Sequence, residues 1–290
     1  MTHLISGATG ALGQALFQAA QRHNTTARIA FGTRTPEALR SPGTDVRRLD
    51  YDDPASMRDA FVDVESLLLI STHADYATRK RQHRAAFEAA RDAGVARVLF
   101  TSLVGADQPG DSVLLDVYSD AEQALGELGV PHVIMRNGIY LGLIPKLLGD
   151  VQAKQSVVLS AGEAAVSWIS REDIADFALS ALLDPELVGT YELVGSSYSM
   201  PQVVQVLAAQ QGRQIEYTTV PHEVFVQRLS DSGMPREAVE GFSGVLRDMD
   251  LGRYQSASQD VATRLGRSAL DLPQYLSRAY ESWQAGAPSP

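Results

Sequence analysis

Residues Ser6-Gly7-Ala8-Thr9-Gly10-Ala11-Leu12-Gly13 lie between a short apolar run, Leu4-Ile5, and a stretch that puts Leu12, Leu16 and Ala20 on one helical face. The spacing G-x-x-G-x-x-G is one residue wider than the common glycine fingerprint for dinucleotides. Each glycine has a chemical use. Gly7 lets the chain turn sharply off a strand. Gly10 keeps side-chain bulk away from backbone N–H groups that a pyrophosphate must approach, and Gly13 lets the following helix pack closely. The start of that helix adds partial positive charge for the phosphates. A strand before and an amphipathic helix after make a dinucleotide site the expectation; a turn that serves packing alone is the alternative.

The end of the second strand reads Gly32-Thr33-Arg34-Thr35, with no acid until Glu37. A site for NAD(H) places a carboxylate there to hold the ribose 2′-hydroxyl, whereas an arginine suits a 2′-phosphate. Arg34 therefore favours NADPH as cofactor over NADH, against the alternative of a solvated surface side chain. The other strand ends complete the candidate set. Asp50 meets the adenine amine or is an ordinary surface carboxylate. Ser71 and Thr72, followed by His73, line the nicotinamide ribose, with His73 otherwise a loop histidine. Thr101 and Ser102 end the fifth strand. Arg136, Asn137 and Gly138 end the sixth, with Tyr140 just beyond.

These residues need a frame that brings strand ends together. Apolar runs at Arg28–Gly32, Val46–Leu49, Ser66–Ile70, Arg97–Thr101 and His132–Arg136 alternate with helical stretches at Gly10–Arg22, Pro54–Phe61, Tyr76–Ala93 and Asp116–Leu128. Asn137-Gly138 reads as a turn. The alternation predicts an α/β fold: a Rossmann-type doubly wound parallel sheet with a smaller C-terminal α/β subdomain on the substrate side. Residues 1–140 form the nucleotide-binding domain and 141–290 mainly the second part, with some later segments returning to the first. Past residue 140 the rhythm loosens. Helices are expected at Ser170–Leu183, Pro201–Gln211, Pro221–Leu229, Pro235–Met249 and Leu272–Trp283, and strands at Thr190–Val194 and Gln214–Thr219. Ser170 and Asp173 start the first of these helices like a capping box.

The totals exclude several functions. The chain has 290 residues, 44% of them hydrophobic, and a net charge of −10 from 25 basic and 35 acidic side chains, a balance that repels nucleic acid and anionic membranes. With no cysteine there are no disulfides, no thiolate catalysis and no iron–sulfur cluster. The N-terminus lacks the pattern of a signal peptide and no run is long enough to span a bilayer, so a cytoplasmic protein is expected. The six histidines, at 3, 23, 73, 83, 132 and 222, form no metal-ligand pair at helical spacing, and no metal is expected. Arg79-Lys80-Arg81 reads as a solvated helix face, or else attracts an anionic cofactor. Trp168 reads as core or as a pocket wall.

Ser-Gly-Ala-Thr-Gly-Ala-Leu-Gly at 6–13, Leu-Leu-Leu-Ile-Ser at 67–71, Gln82-His83-Arg84, Thr-Ser-Leu-Val-Gly-Ala-Asp at 101–107 and Arg-Asn-Gly-Ile-Tyr at 136–140 together resemble the NmrA-like branch of the atypical short-chain dehydrogenases. Within that branch the chain is similar to the NADPH-dependent quinone oxidoreductase type 2 group, related to triphenylmethane reductase. The resemblance runs in order over nearly the whole chain and is strongest before residue 140. It implies a Rossmann domain with a small C-terminal domain, the acceptor between them, NADP(H) as cofactor and hydride transfer as the reaction. It also implies that Gly7, Thr9, Gly10, Ala11, Leu12 and Arg34 hold the phosphates, that Ser71 meets the nicotinamide end, and that Asn137 and Tyr140 lie near the acceptor.

One departure bears on mechanism. Classical relatives use Tyr-x-x-x-Lys, the lysine making the tyrosine a better proton donor. Tyr118 is the nearest candidate here, and Glu122 stands four residues on. A carboxylate would work against ionisation of the phenol, so Tyr118 is either a general acid without its usual help or a cleft-lining residue. Carbonyl reduction produces a basic alkoxide that needs a proton, whereas quinone reduction produces a delocalised hydroquinone anion that does not depend on a strong acid. A small-molecule quinone or similar flat acceptor, reduced directly without flavin or metal, therefore fits. The alternatives are a non-catalytic NADP(H) redox sensor that controls a partner protein, and an isomerase or a reductase of alkenes or imines. The protein is expected to be a monomer or homodimer.

Overall fold

The computed structural model describes residues 2–23, 25–39, 43–149 and 155–284. In chain order the strands are β1 (Thr2–Ile5), β2 (Arg28–Thr33), β3 (Asp45–Arg48), β4 (Val64–Leu69), β5 (Arg97–Leu103), β6 (His132–Asn137), β7 (Ile139–Tyr140), β8 (Ser156–Leu159), β9 (Val166–Ile169), β10 (Gly189–Leu193), β11 (Ser197–Tyr198) and β12 (Glu216–Thr219). The α-helices are α1 (Ala11–Arg22), α2 (Pro54–Ala60), α3 (Tyr76–Asp92), α4 (Val113–Glu127), α5 (Ile144–Leu148), α6 (Arg171–Leu182), α7 (Met200–Gln211), α8 (His222–Asp231), α9 (Arg236–Asp250), α10 (Asp260–Leu265) and α11 (Leu272–Gln284). The chain divides into two compact units: residues 1–110, 115–137 and 171–192, and residues 111–114, 138–170 and 193–290.

The first unit is built on a seven-stranded sheet in the order β10-β6-β5-β4-β1-β2-β3. Strands β1 to β6 pair in parallel. The order runs outward from β1 in both directions, so chain reversal occurs between β1 and β4, as in a Rossmann fold. Central strands covered on both faces read as continuous apolar runs: Leu67, Leu68 and Leu69 are each fully buried. Phe61, Phe87 and Phe100 join Leu4, Leu67 and Val98 in one buried cluster on one side of the sheet.

Arg97 opens β5 and is buried. Its guanidinium donates to the carbonyls of Ala181 at 2.9 Å, Leu182 at 2.8 Å, Leu187 at 3.0 Å and Asp184. Ala181 and Leu182 belong to the last turn of α6 and Asp184 and Leu187 to the segment just after it, so the cation caps the helix end and matches its dipole. This side chain is one tie that holds α6, far along the chain, to the first sheet, where β10 pairs next to β6.

The second unit contains a three-stranded sheet, β11-β9-β7, and a parallel pair, β12-β8. Sequence periodicity shows neither β8 nor β9, each only four residues long. The expected turn at Asn137-Gly138 is absent: β6 runs through Asn137, and Gly138 leads directly into β7. A Cβ on Gly138 would lie 2.6 Å from the Ser167 carbonyl oxygen, so the glycine serves close strand passage instead of chain reversal. Trp168 is fully buried, with Nε1 donating to the Tyr198 carbonyl at 3.0 Å, and belongs to the core. Among the described residues no helix is long and apolar enough to cross a membrane.

Candidate functional site

The glycine loop joins β1 to α1. Gly7 has φ +63°, a turn that a side chain would strain. Its carbonyl accepts the Gly10 N–H at 3.0 Å, while the Ala8 N–H reaches the Gly32 carbonyl at 3.0 Å. A Cβ on Gly13 would lie 2.2 Å from Gly7 O and 2.6 Å from Ala8 Cα, both backbone atoms. Gly13 therefore seats the helix on its own entry loop.

Gly10 is extended, at φ −75° and ψ 164°, and caps α1 with no side chain. A Cβ there would meet only Gly7 O, at 3.3 Å, so the volume ahead of the helix is left clear. The first intrahelical bond runs from Gln14 N–H to Gly10 O at 2.9 Å, which leaves the Ala11, Leu12 and Gly13 N–H groups ahead of the ladder. No acidic residue occupies the first turn. A bare loop, unpaired N–H groups and an unopposed helix dipole together make an anion cradle, and a diphosphate fits it.

Two hydroxyl contacts hold the loop. Thr9 Oγ1 lies 3.1 Å from Thr33 Oγ1, and the Thr35 N–H donates to that same Thr33 oxygen at 3.2 Å. Beneath, Tyr51 Oη is 2.5 Å from Ser6 Oγ, which also accepts the Ile70 N–H at 2.8 Å. Burial pushes the Tyr51 phenol well above its ordinary range, so it stays protonated and serves as a hydrogen-bonding strut. Sequence reading missed Ser6 and Tyr51 as supports, because the contact joins residues from three strand ends.

Arg34 follows β2 and is exposed. Asp50, half-buried after β3, accepts the Asp52 N–H at 3.1 Å, and its own N–H reaches Ser56 Oγ at 3.0 Å. It thus shapes the turn into α2, leaving its second carboxylate oxygen for another donor.

The ends of β4, β5 and β6 carry a polar cluster. The Ser71 N–H donates to Thr101 Oγ1 at 2.9 Å. Ser71 Oγ lies 3.1 Å from both His83 Nε2 and Arg79 Nη2. Arg79 is buried, and its guanidinium carbon sits 5.0 Å from the centre of the Tyr118 ring, a cation–π contact. His83 is fully buried, and desolvation, aided by the charge of Arg79, pushes it down to about 3, so the imidazole is neutral at neutral pH. Neither Arg79 nor His83 was assigned to the site from sequence. Thr72 is half-buried, with an Oγ1 that has no partner among the described residues, and His73 is exposed.

Thr101 and Ser102 are buried and bonded internally. Ser102 Oγ donates to Glu122 Oε1 at 2.5 Å. Arg136 grips the same carboxylate with Nε at 3.0 Å and Nη2 at 2.7 Å, and its Nη1 is 3.3 Å from Asp107. Glu122, where the classical pattern has lysine, is thus committed to Arg136 and Ser102. Asn137 is fully buried, and its carbonyl accepts the Val104 N–H at 2.9 Å. Tyr140 is half-buried on β7 in the second unit, opposite Ile169.

The first unit therefore brings together Ser71, Thr101 and, through Arg79, Tyr118. The basic run on α3 divides: Arg79 turns inward, Lys80 pairs with Asp116 at 2.6 Å and Arg81 with Asp52 at 2.6 Å. Among the described residues no group of three or more His, Asp or Glu is placed to hold a metal ion. An open groove in the second unit, lined by Val204, Ala208, Ile215 and Tyr217, includes none of the residues singled out from sequence.

The model of the NmrA-like family matches residues 2–275. The chain is 30% identical to quinone oxidoreductase 2 of Escherichia coli over 95% of this chain and 98% of that one. Among solved structures, it is similar to an E. coli NADPH-dependent quinone oxidoreductase complexed with NADPH, with TM-score 0.87, 28% identity and coverage of 96% and 99%. It is also similar to a Citrobacter triphenylmethane reductase complexed with NADP(H), with TM-score 0.86, 25% identity and coverage of 96% and 100%. The family match, the glycine loop and the strand order agree: the chain belongs to the NmrA-like family.

Proposed function

We propose that this protein is an NADPH-dependent oxidoreductase that reduces a quinone or a similar flat acceptor directly, without flavin or metal. The observation that carries the reading is the Gly7–Gly13 loop, whose clear volume and unpaired N–H groups suit a diphosphate. The names of the relatives support it: a quinone oxidoreductase and reductases solved with NADPH or NADP(H).

Gly7, Thr9, Gly10, Ala11, Leu12 and Gly13 hold the diphosphate, and Arg34 the 2′-phosphate. Asp50 offers its free oxygen to the adenine amine. Ser71, Thr72 and His73 serve the nicotinamide end, with Thr101 and Ser102 as buried supports behind them. When bound, the nicotinamide would supply a hydride, two electrons with one proton, to the acceptor. Tyr118 and Tyr140 are the acceptor-side residues, with Asn137, fully buried, a support rather than a contact.

The Ser71 hydroxyl has a defined direction. A buried orphan donor costs more than an orphan acceptor, so neutral His83 carries its proton on Nε2, facing Ser71, instead of on Nδ1, which lacks a partner. Ser71 Oγ then accepts from both His83 and Arg79, and its own proton points outward as a donor. A fixed donor of this kind stabilises negative charge on an oxygen without transferring a strong acid's proton. That is sufficient for a delocalised hydroquinone anion and insufficient for an alkoxide.

Glu122 in place of lysine also suits a nucleotide-binding protein without turnover, and one assay separates the two readings. Protein, NADPH and a benzoquinone are mixed and the nicotinamide absorbance is followed. Multiple turnovers are expected. Tight NADPH binding with no oxidation by any quinone tested would favour the redox sensor, and no affinity for either nucleotide would defeat both.

A further inference from the structure

The basic run on α3 supplies more than a solvated face. Strands β2 and β3 are parallel neighbours, with Thr33 opposite Arg48, so Arg34 and Asp52 leave the same edge of the sheet. That is the carboxyl edge, where open α/β sheets bind ligands. Asp52 is half-exposed, and both of its oxygens are engaged: Oδ1 by Arg81 Nη2 at 2.6 Å and Oδ2 by Gln82 Nε2 at 2.7 Å. Arg81, first, and Gln82 hold the carboxylate below its usual range, and the positive charge of Arg34 adds to that attraction. Two exposed guanidinium groups thus flank one fixed carboxylate at the edge that the preceding section assigns to the phosphorylated ribose.

We propose that Asp52 and Arg81 are specificity-determining residues for the nucleotide, acting beside Arg34. Arg81 is a second cation for a 2′-phosphate, and Asp52 opposes it, so that the protein discriminates against unphosphorylated nucleotides less sharply than its arginines alone would allow. The inference rests on the NADP(H) reading of Arg34. A dianionic phosphate within a Debye length of both groups feels each charge change, with opposite signs.

Calorimetric titration with 2′,5′-ADP and with 5′-ADP measures the effect without catalysis. Asp52→Asn should raise the preference for 2′,5′-ADP about three- to tenfold, and Arg81→Gln should lower it by a similar factor. The double variant restores the original charge sum and should return close to the parent, and the single-variant shifts should shrink in high salt. If Arg34→Ala lowers the preference but neither Asp52→Asn nor Arg81→Gln moves it, this inference fails and the NADP(H) reading stands. If Arg34→Ala leaves the preference unchanged as well, the reading beneath it fails. Thermal unfolding of each variant confirms that it is folded before titration.

Discussion

At the scale of single residues, position 10 and position 122 carry opposite lessons. A Cβ at Gly10 would press on the Gly7 carbonyl oxygen at 3.3 Å and meet nothing else within 4 Å, so in the proposed reading its absence serves chiefly a ligand. Gly10→Val should fold normally yet weaken NADPH binding by more than about tenfold, the loss expected when charge-assisted bonds to phosphate cannot form. Retained affinity in a fluorescence titration would mean that the loop does not touch phosphate. Arg34→Ala should raise KM for NADPH roughly 10–100-fold and leave that for NADH nearly unchanged. Glu122 is the reverse case. Its neighbours suggest a structural ion pair, with only 10% of its side chain and 15% of that of Arg136 exposed. Glu122→Lys, which recreates the classical Tyr-x-x-x-Lys spacing, should lower stability by about 3–5 kcal/mol, because it sets a second cation against Arg136. Urea denaturation tests this; a stable and faster enzyme would refute the assignment.

At the scale of elements, the site depends on how strand ends and helices are tied. Arg97 is buried and closes the end of α6 with bonds to four carbonyls. Arg97→Met should cost about 2–4 kcal/mol by removing the buried donors to the carbonyls of Leu182 and Leu187 and the second donors to those of Ala181 and Asp184, with little change in NADPH affinity. The β4–α3 corner should respond to pH through His83. The unfolded imidazole takes up a proton below its ordinary value of 6.5, whereas the folded one does so only near 3. Between these limits the unfolded state binds more protons, so stability present at neutral pH falls as pH drops, by up to about 1.4 kcal/mol per pH unit from this one group. His83→Asn should flatten that part of the stability–pH curve; an unchanged slope would show that His83 is not held neutral.

At the scale of the whole molecule, a net charge of −10 coexists with a local set of arginines around the proposed phosphate positions. In the proposed reading, ligand specificity rests on local placement against an unfavourable overall field. NADPH at a hundred times its dissociation constant should add about 2.7 kcal/mol to the unit that binds it, and so raise the midpoint of the matching calorimetric transition by about 5–10 °C. An equal rise with NADH at the same concentration would count against the phosphate preference.

The glycine loop, the alternation of short apolar runs with amphipathic stretches, and the arginine after β2 were all legible in the sequence, because each is a local pattern with a single physical cause. The doubly wound parallel sheet follows from the loop and the alternation, and the family resemblance from these together with the matched segments at 67–71, 82–84, 101–107 and 136–140; the place of β10 as the seventh strand does not. What the linear order hid are contacts between residues far apart in the chain. Glu122 reads as an anomaly beside Tyr118 until Arg136 and Ser102 meet it. Thr101 and Ser102 read as ligand contacts until their burial and internal bonds are known. Arg79, Lys80 and Arg81 read as one charged face until each takes a different acid or hydroxyl. Local spacing sets which backbone conformations are accessible, but only the folded packing decides which charge is neutralised, which hydroxyl is already used and which donor remains for a ligand.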